Sequence, residues 1–337
     1  METTLKKFYI QWHITDRCNL RCIDCYQEKF TKEGELDWAY LRLICDNLIE
    51  TMKKWNSKLV AVLTGGEPLL KKELWEIFEY LNNSEYVSEL GIITNGTLVD
   101  RYVSDLKKFD KIKKVYVSLD GITKDTNDSI RGEGTYDKTL ENIFLLRDSK
   151  IPVVIMFTLM KKNLKEAESL FDFIKDNFLD GFIIERFIPL GQGKKLLDQV
   201  ISGEELDSLY RKIFYQCGAE YIPEKIIKYR ALHVSFSDGI ELFGAECVAG
   251  RDGMAILPDG TVLPCRRFFL PVGNLLQSSL DDIWKNSEVL RNIRYKKNLK
   301  GRCGTCEIED CIGCRAMTHS LTGDYLAEDP HCWVYKI

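Results

Sequence analysis

The sequence lacks any apolar run of the roughly 18 to 20 residues that a bilayer-spanning helix requires. It also lacks an excess of basic charge, because 47 Lys and Arg residues stand against 51 Asp and Glu, a formal net charge of -4. The first eight residues are mostly polar and do not have the pattern of a secretory signal. These absences argue against a membrane protein and against a general affinity for nucleic acid, so we expect a cytoplasmic protein.

Histidine is scarce as well, with four isolated residues at 13, 233, 319 and 331. Isolated histidines are more often core or surface groups than catalysts. We therefore predict no general base and assign no catalytic side chain.

Cysteine, in contrast, is abundant: there are twelve, and ten of them fall into two groups, at 18–25 and 247–332. Disulfide frameworks are typical of small secreted domains, whereas this chain has 337 residues. Closely spaced cysteines in a reducing compartment point instead to thiolate ligands for metal. Cys45 fits the apolar face of a predicted helix, so we assign it to the core.

The first half of the chain alternates short apolar segments with longer amphipathic ones, as repeated strand-helix units do. Strands are predicted at 8–14, 59–63, 90–94, 115–119, 153–158 and 182–187. Apolar residues at helical spacing predict a helix over 36–55. The fold class is therefore α/β, with a partial (β/α)6 TIM-like barrel whose reactive groups lie on loops at the carboxyl ends of the strands.

The pattern changes after residue 193. A helical linker is predicted over 204–230, followed by a hairpin in which Asp259-Gly260 suits a two-residue turn. A helix is predicted from Ser279 through Leu290, and the loop-rich remainder needs metal to fold. These changes divide the chain into a barrel at 1–200, a helical linker at 201–240 and a small, loop-rich, cysteine-rich domain at 241–337.

Cys18, Cys22 and Cys25 follow the first predicted strand with Cys-x3-Cys-x2-Cys spacing. Four protein ligands are usual for a four-iron cluster that only carries electrons, so three thiolates leave one iron open to a small molecule. The spacing alone also suits a zinc or redox site. A Gly-Gly-Glu-Pro sequence at 65–68, after the second predicted strand, favours the open cluster.

Together these motifs resemble those of the radical S-adenosylmethionine (SAM) superfamily, and the resemblance covers nearly the whole chain. It implies a SAM-binding [4Fe-4S] cluster on Cys18, Cys22 and Cys25, which reduces SAM to release a 5′-deoxyadenosyl radical. It also implies a set of SAM-binding residues, namely Gly65, Gly66, Glu67, Thr94, Asn95, Ser118, Asp120 and Arg131.

The roles in this set come from the same resemblance. The glycines allow the backbone to approach the methionyl amine, and Arg131 pairs with the SAM carboxylate. Ser118 and Asp120 bind the ribose, although a strand that ends in Asp-Gly is also compatible with a plain turn. Asp24 stands where relatives usually have an aromatic residue near adenine, and Tyr26 is the candidate to replace it.

The second group of cysteines resembles the SPASM region of radical SAM enzymes, with shorter gaps than the usual pattern. By position, Cys303, Cys306, Cys311 and Cys332 hold an outer auxiliary [4Fe-4S] cluster, and Cys247, Cys265 and Cys314 hold an inner one. One or two auxiliary clusters are thus expected. Seen alone, the cysteines at 303, 306, 311 and 314 also suit a single zinc ion. The missing inner ligand is Cys217, water, another side chain or the substrate.

Two enzymatic functions remain open. SPASM architecture favours hydrogen-atom abstraction from a ribosomally made peptide or a protein side chain. That function would need a separate leader-binding protein, since little sequence precedes Cys18. The alternative is modification of a tetrapyrrole, as in alternative haem synthesis, with Arg266, Arg267 and Arg315 pairing with propionates.

A non-enzymatic iron–sulfur protein is the third reading, and it leaves Glu67 and the open cluster without a purpose. The expected partners of an enzyme are a peptide or small-molecule substrate and an electron donor such as flavodoxin or ferredoxin. We expect neither nucleic acid nor membrane as a partner.

Overall fold

The computed structural model describes residues 5–334, so the first four residues of the polar N-terminal segment lie outside the described residues. Within this range the strands form one mixed sheet in the order β11-β10-β9-β1-β2-β3-β4-β5-β6-β7-β8. The strands are β1 (Lys7–His13), β2 (Lys58–Thr64), β3 (Val87–Thr94), β4 (Ile112–Ser118), β5 (Val153–Leu159), β6 (Gly181–Arg186), β7 (Ala231–Ser235), β8 (Glu241–Ala245), β9 (Gly253–Ile256), β10 (Thr261–Leu263) and β11 (Gly273–Asn274).

Helices cover the segments between the strands and much of the C-terminal part. The α-helices are α1 (Trp38–Trp55), α2 (Leu74–Asn82), α3 (Val103–Leu106), α4 (Lys124–Arg131), α5 (Thr135–Asp148), α6 (Leu164–Ala167), α7 (Leu170–Asp176), α8 (Gly203–Gln216), α9 (Pro223–Ile226), α10 (Leu280–Asn286), α11 (Glu288–Arg294), α12 (Arg302–Thr305) and α13 (Arg315–Thr322). Short 3-10 helices lie at Pro68–Leu70, Val99–Arg101, Lys161–Asn163, Gly191–Lys195, Leu197–Gln199 and Lys296–Asn298. No helix in the described range is long and apolar enough to cross a membrane.

Strands β1 to β6 are parallel neighbours in chain order, which confirms the partial barrel. Side chains that alternate along a strand face opposite sides of the sheet. In β1 this brings Phe8, Ile10 and Trp12 into the core. Their polar or exposed neighbours face away. The parallel arrangement places the carboxyl ends of six strands at one edge, where the chemistry is expected.

Helix α1 begins two residues later than predicted because Asp37 caps it. The Asp37 carboxylate accepts hydrogen bonds from the N–H groups of Ala39 and Tyr40. The helix ends at Trp55, and Asn56 caps it with a left-handed φ of 48°, a conformation that asparagine tolerates. Cys45 is fully buried on the core face of this helix.

The sheet continues across the predicted domain boundaries. Strand β9 pairs in parallel with β1, with Tyr9 opposite Gly253 and Trp12 opposite Ile256. At the other edge β7 and β8 add as an antiparallel hairpin to β6. The cysteine-rich segment is therefore fixed to the barrel through backbone hydrogen bonds, and the division at 200 and 240 stays a prediction.

Two local predictions were wrong. The β9–β10 hairpin forms, but its turn is not the two-residue Asp259-Gly260 turn: only Gly260 has a positive φ, and its N–H donates to the carbonyl of Leu257. Pro258 fixes the second position of this turn, which suits a longer loop. The helix predicted from Ser279 is interrupted at Ser287, which caps a second helix, α11.

Candidate functional site

A cavity of about 350 Å³ opens at the carboxyl ends of the parallel strands, and we call it the main cavity. Most of the predicted SAM-site residues line it: Cys18, Cys22, Cys25, Gly65, Gly66, Thr94, Asn95, Ser118 and Arg131. Glu67 and Asp120 are fully buried and stand behind its wall rather than among the lining residues. Segments far apart in the sequence thus meet at the edge predicted from the parallel sheet.

The three N-terminal thiols lie on one loop with N–H groups directed at sulfur. Leu20 N–H lies 3.4 Å from Sγ of Cys18, and Gln27 N–H lies 3.5 Å from Sγ of Cys25. Burial raises the pKa of Cys22 to about 12 and that of Cys25 to about 11. Buried thiols of this kind become ligands when a metal displaces their protons, so the loop fits an iron–sulfur cluster.

Two glycines keep the β2 loop against this cysteine loop. The N–H of Gly66 donates to the carbonyl of Thr15 at 2.7 Å, and that of Glu67 to the carbonyl of Arg17 at 2.8 Å. A Cβ on Gly66 would lie 2.3 Å from Arg17 O and 2.8 Å from the Cβ of Cys18. Because these neighbours include backbone, only glycine permits so close an approach.

The carboxylate of Glu67 binds protein groups. It accepts hydrogen bonds from Thr94 Oγ1 and Asn95 N–H, each at 2.8 Å, and from Leu69 N–H at 3.1 Å. Burial raises the pKa of Glu67 to about 7 against the effect of these donors. The side chain therefore joins the carboxyl ends of β2 and β3, and its geometry is that of a positioning residue.

Arg131 is held in the same way by Asp120. One Nη of Arg131 donates to Asp120 at 2.5 Å, and the other carboxylate oxygen of Asp120 accepts the N–H of Thr158 at 2.7 Å. Nε of Arg131 is buried and has no hydrogen-bond partner in the described part of the chain. An anion in the main cavity would satisfy that donor. Of the two predicted ribose ligands, Ser118 lines the cavity and Asp120 does not.

Tyr26 and Asp24 both line the main cavity. The Tyr26 hydroxyl donates to the carbonyl of Gly65 at 3.3 Å, and its ring lies 4.1 Å below the guanidinium of Arg266. Burial, together with the charge of Asp120, raises the pKa of Asp24 to about 7. Tyr26 is one of the aromatic residues that line the cavity, together with Phe30, Phe187 and Phe268, and its contact with adenine stays a prediction.

The C-terminal cysteines separate into two sets. Cys247, Cys265 and Cys314 line the main cavity, as the three N-terminal cysteines do. A second cavity of about 20 Å³, the outer cavity, is lined by Cys303, Cys306, Cys311 and Cys332. Cys217 lines neither cavity.

No three His, Cys, Asp or Glu side chains within residues 5–334 are arranged to hold a single metal ion. The single zinc ion that the sequence left open would need Cys303, Cys306, Cys311 and Cys314 together, whereas Cys314 lines the main cavity and the other three line the outer cavity. A four-iron cluster distributes its thiolates over several iron atoms, and that is the arrangement expected of the two sets.

Arginines that the sequence did not single out also reach these cavities. Arg186 and Arg230 line the main cavity together with the predicted Arg266 and Arg267. Arg266 donates through Nε and Nη2 to Nδ1 of His13, at 2.9 and 2.7 Å. Burial, followed by the Arg266 charge, lowers the pKa of His13 to about 4, so His13 is a neutral acceptor.

Arg315 lines the main cavity as well, and part of its guanidinium binds the C-terminal loop. Its Nη1 donates to the carbonyls of Tyr325 and Ala327, at 2.9 and 2.6 Å. Its Nη2 lies 3.7 Å from Sγ of Cys303. These contacts engage both Nη atoms, whereas Nε of Arg315 is buried without a hydrogen-bond partner in the described part of the chain. The pairing of Arg315 with a propionate therefore stays a prediction.

An open edge of a parallel sheet that carries three thiols, joined to a cysteine-rich segment, defines an iron–sulfur enzyme of the partial-barrel type. Comparison with known families agrees: the radical SAM superfamily profile matches residues 12–174, and the SPASM iron–sulfur cluster-binding domain matches 247–311. The chain is 30% identical to the AdoMet-dependent heme synthase of Methanosarcina barkeri (strain Fusaro / DSM 804), over 97% of this chain and 96% of that protein. The chain belongs to the radical SAM superfamily and carries a SPASM domain.

Two further proteins are similar to this chain at lower sequence identity. Mycofactocin maturase MftC of Mycobacterium ulcerans (strain Agy99) is 26% identical over 96% of this chain and 87% of its own. The crystal structure of Streptococcus suis SuiB bound to precursor peptide SuiA aligns with a TM-score of 0.75 at 18% identity, over 98% of this chain and 76% of that one. Membership of the family brings [4Fe-4S] clusters and SAM as cofactors, and the thiols and cavity described above fit them.

Proposed function

We propose that this enzyme modifies a tetrapyrrole that carries carboxylate side chains, with Arg266 as a carboxylate anchor. The observation that carries the proposal is that buried guanidinium groups at the main cavity have N–H donors without an acceptor. Nη1 of Arg266 and Nη2 of Arg186 are buried and have no hydrogen-bond partner within residues 5–334. Buried donors of this kind call for an anionic acceptor.

The likeness to a haem synthase over nearly the full length of both chains supports the same proposal. It reverses the order of the two functions that the sequence suggested, in which peptide modification came first. Modification of a peptide is the second candidate, and the likeness to mycofactocin maturase MftC supports it.

Within this proposal Arg266 is a preorganised anchor. The neutral His13 fixes two of its donors and itself donates through Nε2 to Asp16 at 2.8 Å. The rings of Tyr26 and Phe269 lie 4.1 and 5.1 Å from the guanidinium carbon. The side chain therefore needs little ordering to receive a carboxylate at Nη1.

We call the part of the main cavity that Cys18, Cys22 and Cys25 line the SAM end, and its residues have the following roles in the proposal. Cys18, Cys22 and Cys25 would hold the cluster, and bound SAM with this cluster would supply hydrogen-atom abstraction. Gly65, Gly66, Thr94, Asn95, Ser118 and Arg131 would contact SAM, and Glu67 and Asp120 would position them. An external electron donor such as flavodoxin or ferredoxin, and a cytoplasmic location, belong to the same proposal.

The test uses the anaerobically reconstituted enzyme with SAM, a reductant and iron coproporphyrin, a porphyrin with four propionates. We expect the porphyrin to increase the formation of 5′-deoxyadenosine and to change in mass, and its tetramethyl ester to do neither. Equal responses to acid and ester would overturn the proposal. A response only to an added cysteine-containing peptide would favour the second candidate.

Replacing Arg266 by Gln should raise the KM for the porphyrin at least tenfold, because a hydrogen bond between charged groups contributes roughly 1.5 to 3 kcal/mol. Arg266→Lys keeps the charge without the fork and should fall between the two. The matched control is Arg147→Gln, since Arg147 pairs with Asp148 at the surface. A KM that is unchanged in Arg266→Gln would remove this residue from the substrate site.

A further inference from the structure

Arg230 lies between the two cavities and lines both of them. It immediately precedes β7, and its backbone N–H donates to the carbonyl of Ala245 at 2.7 Å, so strand β8 fixes its position. The side chain is buried, and Nη2 lies 3.7 Å from Sγ of Cys311 in the outer set. Nε has no hydrogen-bond partner in the described range, which leaves a donor for a neighbouring ligand.

Asp329 holds Arg230 in place and touches both sets of thiols. One carboxylate oxygen of Asp329 lies 3.7 Å from Nη1 of Arg230 and accepts the N–H of Cys314, in the inner set, at 2.6 Å. The backbone N–H of Asp329 is directed at Sγ of Cys303, in the outer set, at 3.3 Å. The buried ion pair therefore connects the inner and outer sets.

Thiols of the inner and outer sets both affect the pKa of the Arg230 guanidinium. Burial would lower the pKa of Arg230, but the charges of Asp329, Cys314, Cys311 and Cys247 raise it. The Arg230 guanidinium is therefore charged at neutral pH. A fixed positive charge beside an iron–sulfur cluster favours the reduced, more negative form of that cluster, and solvent screens little of the effect for buried groups.

We propose that Arg230, anchored by Asp329, is a charge-balancing residue shared by both auxiliary clusters and that it raises the reduction potential of each. The proposal rests on the assignment of the seven C-terminal cysteines as ligands of two clusters. Arg230 is not a catalytic residue in this scheme, because it contacts thiols and not the reacting atoms.

The experiment is a potentiometric titration of the reconstituted enzyme, followed by electron paramagnetic resonance, with iron counted in each sample. Arg230→Gln should lower the potentials of both auxiliary clusters, and Arg230→Lys should keep them near those of the wild type. Asp329→Asn should shift both potentials upward, because it removes a negative charge and keeps the shape of the side chain. A purely structural role predicts no such reversal of sign.

The control is Arg302→Gln. Arg302 also lies at the outer cavity, but its side chain is 47% exposed and pairs with Glu328, so solvent screens its charge. Shifts in Arg230→Gln no larger than in this control, or a shift of one auxiliary cluster alone, would overturn the proposal. If Arg230→Gln fails to load iron, the upward shift in Asp329→Asn decides. A wild-type enzyme without auxiliary signals would overturn the cluster assignment as well.

Discussion

At the scale of single residues, several motif side chains act through other protein groups. The Glu67 carboxylate accepts hydrogen bonds from Leu69, Thr94 and Asn95. The Asp120 carboxylate accepts hydrogen bonds from the Arg131 guanidinium and the Thr158 N–H group. A hydrogen-bonded carboxylate of this kind fixes the ends of strands that must meet within a few tenths of an ångström. The SAM end of the cavity therefore depends on groups that do not line it.

Glu67 also gives the protein a defined pH dependence. Burial raises its pKa from 4.5 to about 7, so the folded state holds this proton more tightly than the unfolded state. The stability that the protonated group contributes is complete at low pH and falls as the pH rises towards 7. When the pH rises from 5.5 to 7.5, the free energy of unfolding of the wild type should fall by about 2 kcal/mol through this group. Glu67→Gln has no titrating group at this position and should not show this fall.

Urea unfolding of the reconstituted proteins under anaerobic conditions measures this difference. The matched control is Glu141→Gln, whose side chain is 69% exposed and should follow the wild-type curve. Parallel curves for the wild type and Glu67→Gln would mean that the buried carboxyl does not titrate in this range.

At the scale of elements, α1 connects the barrel with the C-terminal segment. Nδ2 of Asn47 donates to the carbonyls of Leu275 and Ser278, each at 3.0 Å, and its Oδ1 accepts the N–H of Leu280 at 2.9 Å. One side chain of α1 thus satisfies three backbone groups between β11 and α10. Asp281 strengthens the contact by accepting the indole N–H of Trp55 at 2.6 Å.

Asn47→Ala should therefore cost about 2 kcal/mol, because it leaves partly buried backbone groups without partners. The loss should appear as a lower urea midpoint and as faster proteolysis within 274–280. Glu50→Ala, an exposed position on the same helix, is the control. Equal proteolysis of the two variants would show that β9–β1 pairing alone holds the segment.

The same elements show what the sequence could predict. Each of the six parallel strands was located to within three residues at either end, because alternation and apolar content are local properties. The pairing of β9 with β1 was not predicted, since residues 9 and 253 are far apart in the chain and no local pattern encodes their register. The short strands β7 and β8 were not placed individually, and β7 lies inside the segment assigned to the linker at 201–240.

At the scale of the whole molecule, one sheet carries thiol sets that different parts of the chain supply. The cysteines themselves were evident from their spacing. The charged residues near the thiols were not evident from the sequence. Arg186, Arg230 and Asp329 belong to no local motif, and only the fold brings them to the cavities. A lone arginine in a sequence is usually a surface charge, so its burial beside thiols can be recognised only in the structure.

This arrangement predicts that the clusters assemble independently. Three four-iron clusters correspond to about twelve iron atoms per chain. Cys22→Ala should retain about eight of them and lose all 5′-deoxyadenosine formation, because the C-terminal sets lie on other elements. Cys306→Ala should likewise lose about four iron atoms and keep the perturbation of the N-terminal cluster by SAM.

Cys45→Ala is the control for both variants, since Cys45 is buried in the core and lines neither cavity. Its iron content should equal that of the wild type, although the lost side chain lowers stability slightly. Iron analysis and electron paramagnetic resonance of the three variants measure the outcome. If Cys22→Ala lost all its iron, the three centres would form one cooperative unit. The continuous sheet from β11 to β8 would then depend on metal at the carboxyl ends of its parallel strands and not only on the hydrophobic core.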